Sequence, residues 1–141
     1  MTRGERDVGV RSNEPLSYVR TALMLIAFAL IAVGPMTVLA PATAATAFGI
    51  PAATAEARAY LLASATRDVA LGIWLLALVR LRAGRRLLAS SVFAIALVAA
   101  GDATNVAAYM GWQPAPALVL HIGGVFVLLM LGLYLWRGES E

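Results

Sequence analysis

The chain has 141 residues, of which 61% are hydrophobic and only 13% charged, against about a quarter charged in an ordinary soluble domain. The formal net charge is +3 and every basic residue is an arginine. Cysteine is absent and there is a single histidine, which excludes disulfides, thiol redox chemistry, Fe–S clusters, covalent or bis-histidine haem and His-rich di-iron centres.

Residues 1–16 are polar, setting Arg3, Arg6 and Arg11 against Glu5, Asp7 and Glu14. They show no apolar period and read as a loose cytoplasmic tail. Thr21 to Ala40 is an uncharged apolar run, long enough to span a bilayer at about 20 residues. Tyr18 and Arg20 precede it as interface anchors, and Gly34-Pro35 predicts a kink. Val38-Leu39-Ala40 and Ala42-Thr43-Ala44 also resemble signal-peptide cleavage sites, which leaves cleavage as an alternative. The run is nevertheless longer than the roughly 7–15 residues of a signal core.

Residues 41–58 read as a loop rich in Ala, Thr, Gly and Pro, with a turn or interfacial hairpin at Phe48-Gly49-Ile50-Pro51. Thr54 is the expected N-cap of a second helix over 55–80, with Glu56 in its first turn. Tyr60, Ser64, Arg67 and Asp68 share one face of that helix. Arg80, Arg82, Arg85 and Arg86 follow in a short loop, the strongest positive-inside signal in the chain. A third helix over 87–110 carries Asp102, Asn105 and Tyr109 on one face. Small residues around Asp102, Gly101 among them, suggest close helix approach. Gly111 to Pro116 reads as a tight turn with Trp112 at the interface. A fourth helix over 117–136 contains His121 and a Gly123-Gly124 pair suited to close contact, and a short acidic tail, 138–141, ends the chain.

The expected architecture is therefore an all-α membrane protein. A four-transmembrane-helix bundle would occupy 17–137, with both ends in the cytoplasm. Orientation follows from nine of the eleven arginines falling before the first helix, in the 80–86 loop or at Arg137. That placement at membrane edges argues against nucleic acid as a partner. The partners expected are the lipid bilayer and a small hydrophobic ligand, with a homo-oligomer left open.

At 1.5 Å per residue, Arg67 and Asp68 should lie about 12–14 Å below the outer membrane face, Asp102 about 12 Å and His121 about 7 Å. The inference is a polar cluster of Arg67, Asp68, Asp102, Asn105 and His121 in the outer half, rimmed by Tyr60, Tyr109 and Trp112. Ionisable groups inside a membrane are costly and mark functional sites by default. The alternative is a buried network that fixes helix register, although a buried ion pair is weak evidence of stabilisation.

The Phe48-Gly49-Ile50-Pro51 segment, the Tyr60 to Gly72 stretch with Arg67-Asp68, and the later Asp102 and His121 carry a resemblance. From about Pro41 to Trp136 the chain resembles the domain-of-unknown-function 4267 family of small four-helix integral membrane proteins. The resemblance implies the four-helix topology and no established activity.

Three functions remain open from the residues. The first is acid–base chemistry on a small hydrophobic molecule, of epoxide-opening or isomerisation type. Asp68, Asp102 and His121 would be its catalytic groups, and Arg67, Asn105, Tyr60 and Tyr109 would bind. By analogy with soluble limonene-epoxide hydrolases, Asp102 would activate a water, Asn105 would orient it, and Asp68 with Arg67 would protonate the opening ring. The second is a proton-coupled transporter using Asp102 and His121, against which stands the lack of ionisable groups in the inner half of the helices. The third is a non-enzymatic accessory protein. No cofactor is expected, and no metal, because Arg67 would repel an ion held by Asp68, Asp102 and His121.

Overall fold

The computed structural model describes residues 14–112 and 115–138, with the side chains of 14, 15 and 115 left aside. Most of the expected polar tail, part of the Gly111 to Pro116 turn and most of the acidic tail lie outside these residues. Five helices follow in order: α1 (Glu14–Leu39), α2 (Pro41–Phe48), α3 (Ala55–Arg80), α4 (Arg85–Met110) and α5 (Ala115–Arg137). No strand occurs among the described residues. All but α2 are long and apolar enough to cross a membrane.

The helix ends follow local chemistry. α1 continues through Pro35 to Leu39, and Thr37 donates its hydroxyl to the Val33 carbonyl at 2.8 Å. The bond runs one turn back and satisfies a buried hydroxyl within its own helix. α3 begins as expected: Thr54 is extended and its Oγ1 accepts from the Ala57 amide at 3.2 Å, a standard N-cap. α4 starts at Arg85 behind Gly84.

The segment expected as a loop after α1 is instead partly helical. Pro41 occupies the first turn of α2, and Gly49 ends it at φ 96°, its amide bonded to the Ala45 carbonyl. Proline at a helix start and glycine in the left-handed region just past the end are matched start and stop signals. A Cβ on Gly49 would lie 2.7 Å from Ala117 Cβ and 3.1 Å from Val106 Cγ1. The position therefore requires glycine twice, for its torsion and for the approach of α2 to α4 and α5.

The helices assemble as two halves. α1 packs along α3, and α4 along α5, while α3 and α4 touch far less extensively. Gly72 brings α3 onto α1: a Cβ there would sit 2.7 Å from the Ala27 carbonyl oxygen. The main apolar core joins Leu23 and Ala27 of α1, Leu75 and Leu78 of α3, Leu88 and Val92 of α4, and Leu128 and Leu135 of α5. A smaller cluster of Ala44, Ala45 and Leu61, with Phe48 against it, closes the opposite end beneath α2. Large apolar side chains such as Leu25, Leu97 and Phe126 point outward and are more than half exposed, as a bilayer allows and water does not.

Two close approaches expected from small residues do not occur. Cβ atoms on Gly101, Gly123 or Gly124 would meet nothing within 4 Å. On α5 the tight glycine is Gly132, where a Cβ would come 2.5 Å from the Phe93 ring. A glycine permits close packing, but a neighbour must also arrive, and at these three positions none comes within 4 Å of where a Cβ would stand.

Candidate functional site: a shared arginine beside a small cavity

Arg67 projects from near the middle of α3 and Asp102 from the last third of α4. The pair meets in a fork. Arg67 Nη1 donates to Asp102 Oδ1 at 3.1 Å and Nη2 to Oδ2 at 2.7 Å. This bidentate geometry is the strong form of the arginine–carboxylate bond. Nε and Nη2 also donate to Asp68 Oδ1, at 3.0 and 2.9 Å. Four of the five guanidinium N–H groups are thus engaged. The Asp102 side chain is 8% exposed, Asp68 16% and Arg67 34%.

The two carboxylates differ in what remains. Each oxygen of Asp102 accepts one bond from Arg67. Asp68 spends only Oδ1, and its Oδ2 accepts no hydrogen bond among the described residues. No fully buried side-chain nitrogen or oxygen there lacks a partner, so Oδ2 is accessible. Asp68 lines a cavity of about 140 Å³ between α1, α2, α3 and α5. Ser64, Thr37 and His121 line it too, in a wall otherwise made of residues such as Val33, Met36, Phe48, Leu61 and Leu120.

His121 stands on α5 with its Nε2 3.0 Å from the Phe48 carbonyl, at the last residue of α2. Its ring meets that of Phe48 edge-on, centroids 5.2 Å apart. A carbonyl can only accept, so Nε2 carries a proton and is the donor in this contact. Phe48 is in edge contact with Tyr60 at 6.2 Å. Asn105 donates to Tyr60 Oη at 3.0 Å.

The expected five-residue cluster is therefore divided into three parts. Arg67, Asp68 and Asp102 form one ion network. Asn105 is held by Tyr60 and makes no bond to Asp102. His121 is tied to α2 and shares the cavity with Asp68. Tyr109 and Trp112 are 80% and 78% exposed, in the manner of interface aromatics, and the structure does not bring them to the cluster. No group of three or more His, Cys, Asp or Glu positioned to hold a metal exists among the described residues. Sequence reasoning missed Thr37 and the Phe48 carbonyl. The first was hidden in an apolar run, the second depends on α2, and Pro41 and Gly49 were the signals for α2. A larger open concavity of about 570 Å³ lies above α2 beside Arg58 and Met110 and includes none of the candidate residues.

These features define a multi-pass helical membrane protein with an ion network buried at the junction of its helices. Its sequence matches, over residues 27–135, the family described as Domain of unknown function (DUF4267), and the chain belongs to that family. The match begins inside α1, upstream of the motifs from which the resemblance was read, and takes in the whole network and cavity. No curated protein and no solved structure matches the chain.

Proposed function

We propose that this protein resides in the cell membrane with both chain ends in the cytoplasm, and binds a small hydrophobic molecule with a polar group in the cavity beside Asp68. The orientation rests on the arginines gathered at the end opposite α2, which turns α2 and the cavity outward. The observation that carries the binding reading is that Asp68, whose Oδ2 is uncommitted among the described residues, lines a mostly apolar cavity. A carboxylate oxygen without a fixed partner at that depth costs stability. An apolar pocket with a few convergent polar groups is the usual form of a small-molecule site.

Binding is better supported than the epoxide-opening scheme. Both oxygens of Asp102 are bonded to Arg67, Asn105 is held by Tyr60, and neither residue lines the cavity. Acid–base chemistry, where it follows binding, falls to Asp68 and His121, a carboxylate and an imidazole on one cavity. Transport through one protomer is also less well supported. Toward the arginine-rich end the helices meet in the apolar core, where the polar side-chain link between α3 and α4 is Trp74 Nε1 to Ser91 Oγ at 3.2 Å.

Photolabelling of membranes with a six-carbon alcohol bearing a diazirine tests the site. Labelled peptides should come from the cavity wall, Leu61, Leu120 and α2, and Ala47→Leu, which fills the cavity, should suppress them. Labelling spread evenly over lipid-facing positions and indifferent to that substitution would contradict binding there.

A further inference from the structure

We infer that the molecule the cavity takes is a small organic cation, an alkylammonium, a reading that rests on the binding site proposed above. Two observations converge on it: a count of hydrogen-bonding roles and a count of charge.

The cavity wall offers acceptors and almost no donors. Asp68 Oδ2 is an acceptor with no partner. Thr37 spends its hydroxyl proton on the Val33 carbonyl, so its oxygen presents lone pairs. His121 spends its Nε2 proton on the Phe48 carbonyl, so that hydrogen is not offered to the cavity. Ser64, which also lines the cavity, has a hydroxyl that can donate or accept. A neutral or anionic ligand rich in acceptors would find lone pairs facing lone pairs. A protonated amine, with up to three donors and no acceptor, is the complement.

Charge points the same way. Two aspartates share one arginine, so the ionised side chains of this three-residue network sum to one surplus negative charge. Arg67 does not oppose a cation here: it is outnumbered by the two aspartates, four of its five N–H groups are spent, and it does not line the cavity. Asp68 Oδ2 is the one carboxylate oxygen of the network that Arg67 does not bond. A divalent metal ion would require several oxygen ligands, and the cavity supplies one carboxylate oxygen among mainly apolar side chains. That wall suits an alkyl chain, and Phe48 adds an aromatic ring to which a cation is attracted. The volume of about 140 Å³ is close to the roughly 150 Å³ of an apolar cavity that accepts benzene, which sets the ligand at about four to six carbon atoms.

The test titrates the full chain in detergent with n-butylammonium chloride, n-butanol and sodium chloride, following the melting temperature. Butylammonium should raise it saturably, half-saturating at a concentration roughly tenfold or more below that of n-butanol, the discrimination expected of hydrogen bonds to a charged group. Sodium chloride at equal concentration should not reproduce the effect. Asp68→Asn should bring the amine to the level of the alcohol, and Ala47→Leu should remove the response to both. Equal half-saturation by amine and alcohol, both blocked by Ala47→Leu, would overturn the cation and leave the binding site standing. An equal rise with sodium chloride would overturn the organic cation in favour of an alkali ion. No response to any probe would overturn this inference together with the binding site. Should Asp68→Asn fail to fold, the amine-to-alcohol ratio decides with Ala47→Leu: a roughly tenfold preference for the amine that Ala47→Leu abolishes supports the proposal, and equal half-saturation or an amine response that persists in Ala47→Leu overturns it.

Discussion

Asp68 and Asp102 hang on the same guanidinium, yet substitution should separate them. Asp102 closes a two-pronged bond between helices and is almost wholly buried. Removing one partner of such a pair leaves the other charge desolvated, a loss of about 3–5 kcal/mol in buried pairs generally. Asparagine keeps one acceptor and Asp68 still faces Arg67, so Asp102→Asn should cost less, about 2–3 kcal/mol. Asp68→Asn removes the surplus charge, and its lost bonds to Oδ1 can be replaced by the amide oxygen. Its stability should be unchanged or higher, as where function is held against stability. Tyr60→Phe removes only the bond from Asn105. It should lower stability by no more than about 1 kcal/mol, given the modest worth of polar contacts between membrane helices, as read from chemical unfolding in detergent.

Among the elements, α2 and the α1–α3 seam carry the clearest demands. Gly49→Ala combines a left-handed torsion with a contact 2.7 Å from Ala117 and should destabilise by about 1–3 kcal/mol. Gly72→Ala drives a methyl toward the Ala27 carbonyl and should cost about 1–3 kcal/mol through overpacking. Gly123→Ala meets nothing within 4 Å and should stay within about 0.5 kcal/mol of the unaltered protein. Thermal melting of the three proteins side by side checks the order. The sequence made the long helices legible because apolar length is a strong signal, and Thr54 was legible because capping is local chemistry. α2 was not, because eight residues give too little periodicity to outweigh a composition rich in Pro, Gly and Thr. Gly123-Gly124 and Gly132 look alike in sequence, and only the arrival of Phe93 distinguishes them.

For the whole molecule, the two halves are joined across α3 and α4 by polar links at three depths. Tyr60, Arg67 and Trp74 recur every seventh residue along α3 and reach Asn105, Asp102 and Ser91 on α4. That spacing keeps one face toward the partner helix. His121 adds a link from α5 to α2. The sequence identified the polar residues and their faces, since charges inside apolar helices stand out. It could not assign partners, because helical period places a side chain on a face without saying which of several groups reaches it. Asn105 therefore read as a neighbour of Asp102, whereas it belongs to Tyr60. The orientation is testable because the chain has no cysteine. In intact cells Thr46→Cys should react with a membrane-impermeant maleimide, and Arg82→Cys should react only after permeabilisation.

The division of labour between the two aspartates is tested most directly by melting detergent-purified Asp68→Asn and Asp102→Asn beside the unaltered protein. Asp102→Asn should melt about 8 °C lower, from about 3 °C per kcal/mol for a chain of this size, while Asp68→Asn should melt at the same temperature or above it. An Asp68→Asn protein that melts as low as Asp102→Asn, or lower, would show both carboxylates to be parts of one structural clamp, and would contradict a site held open for a ligand.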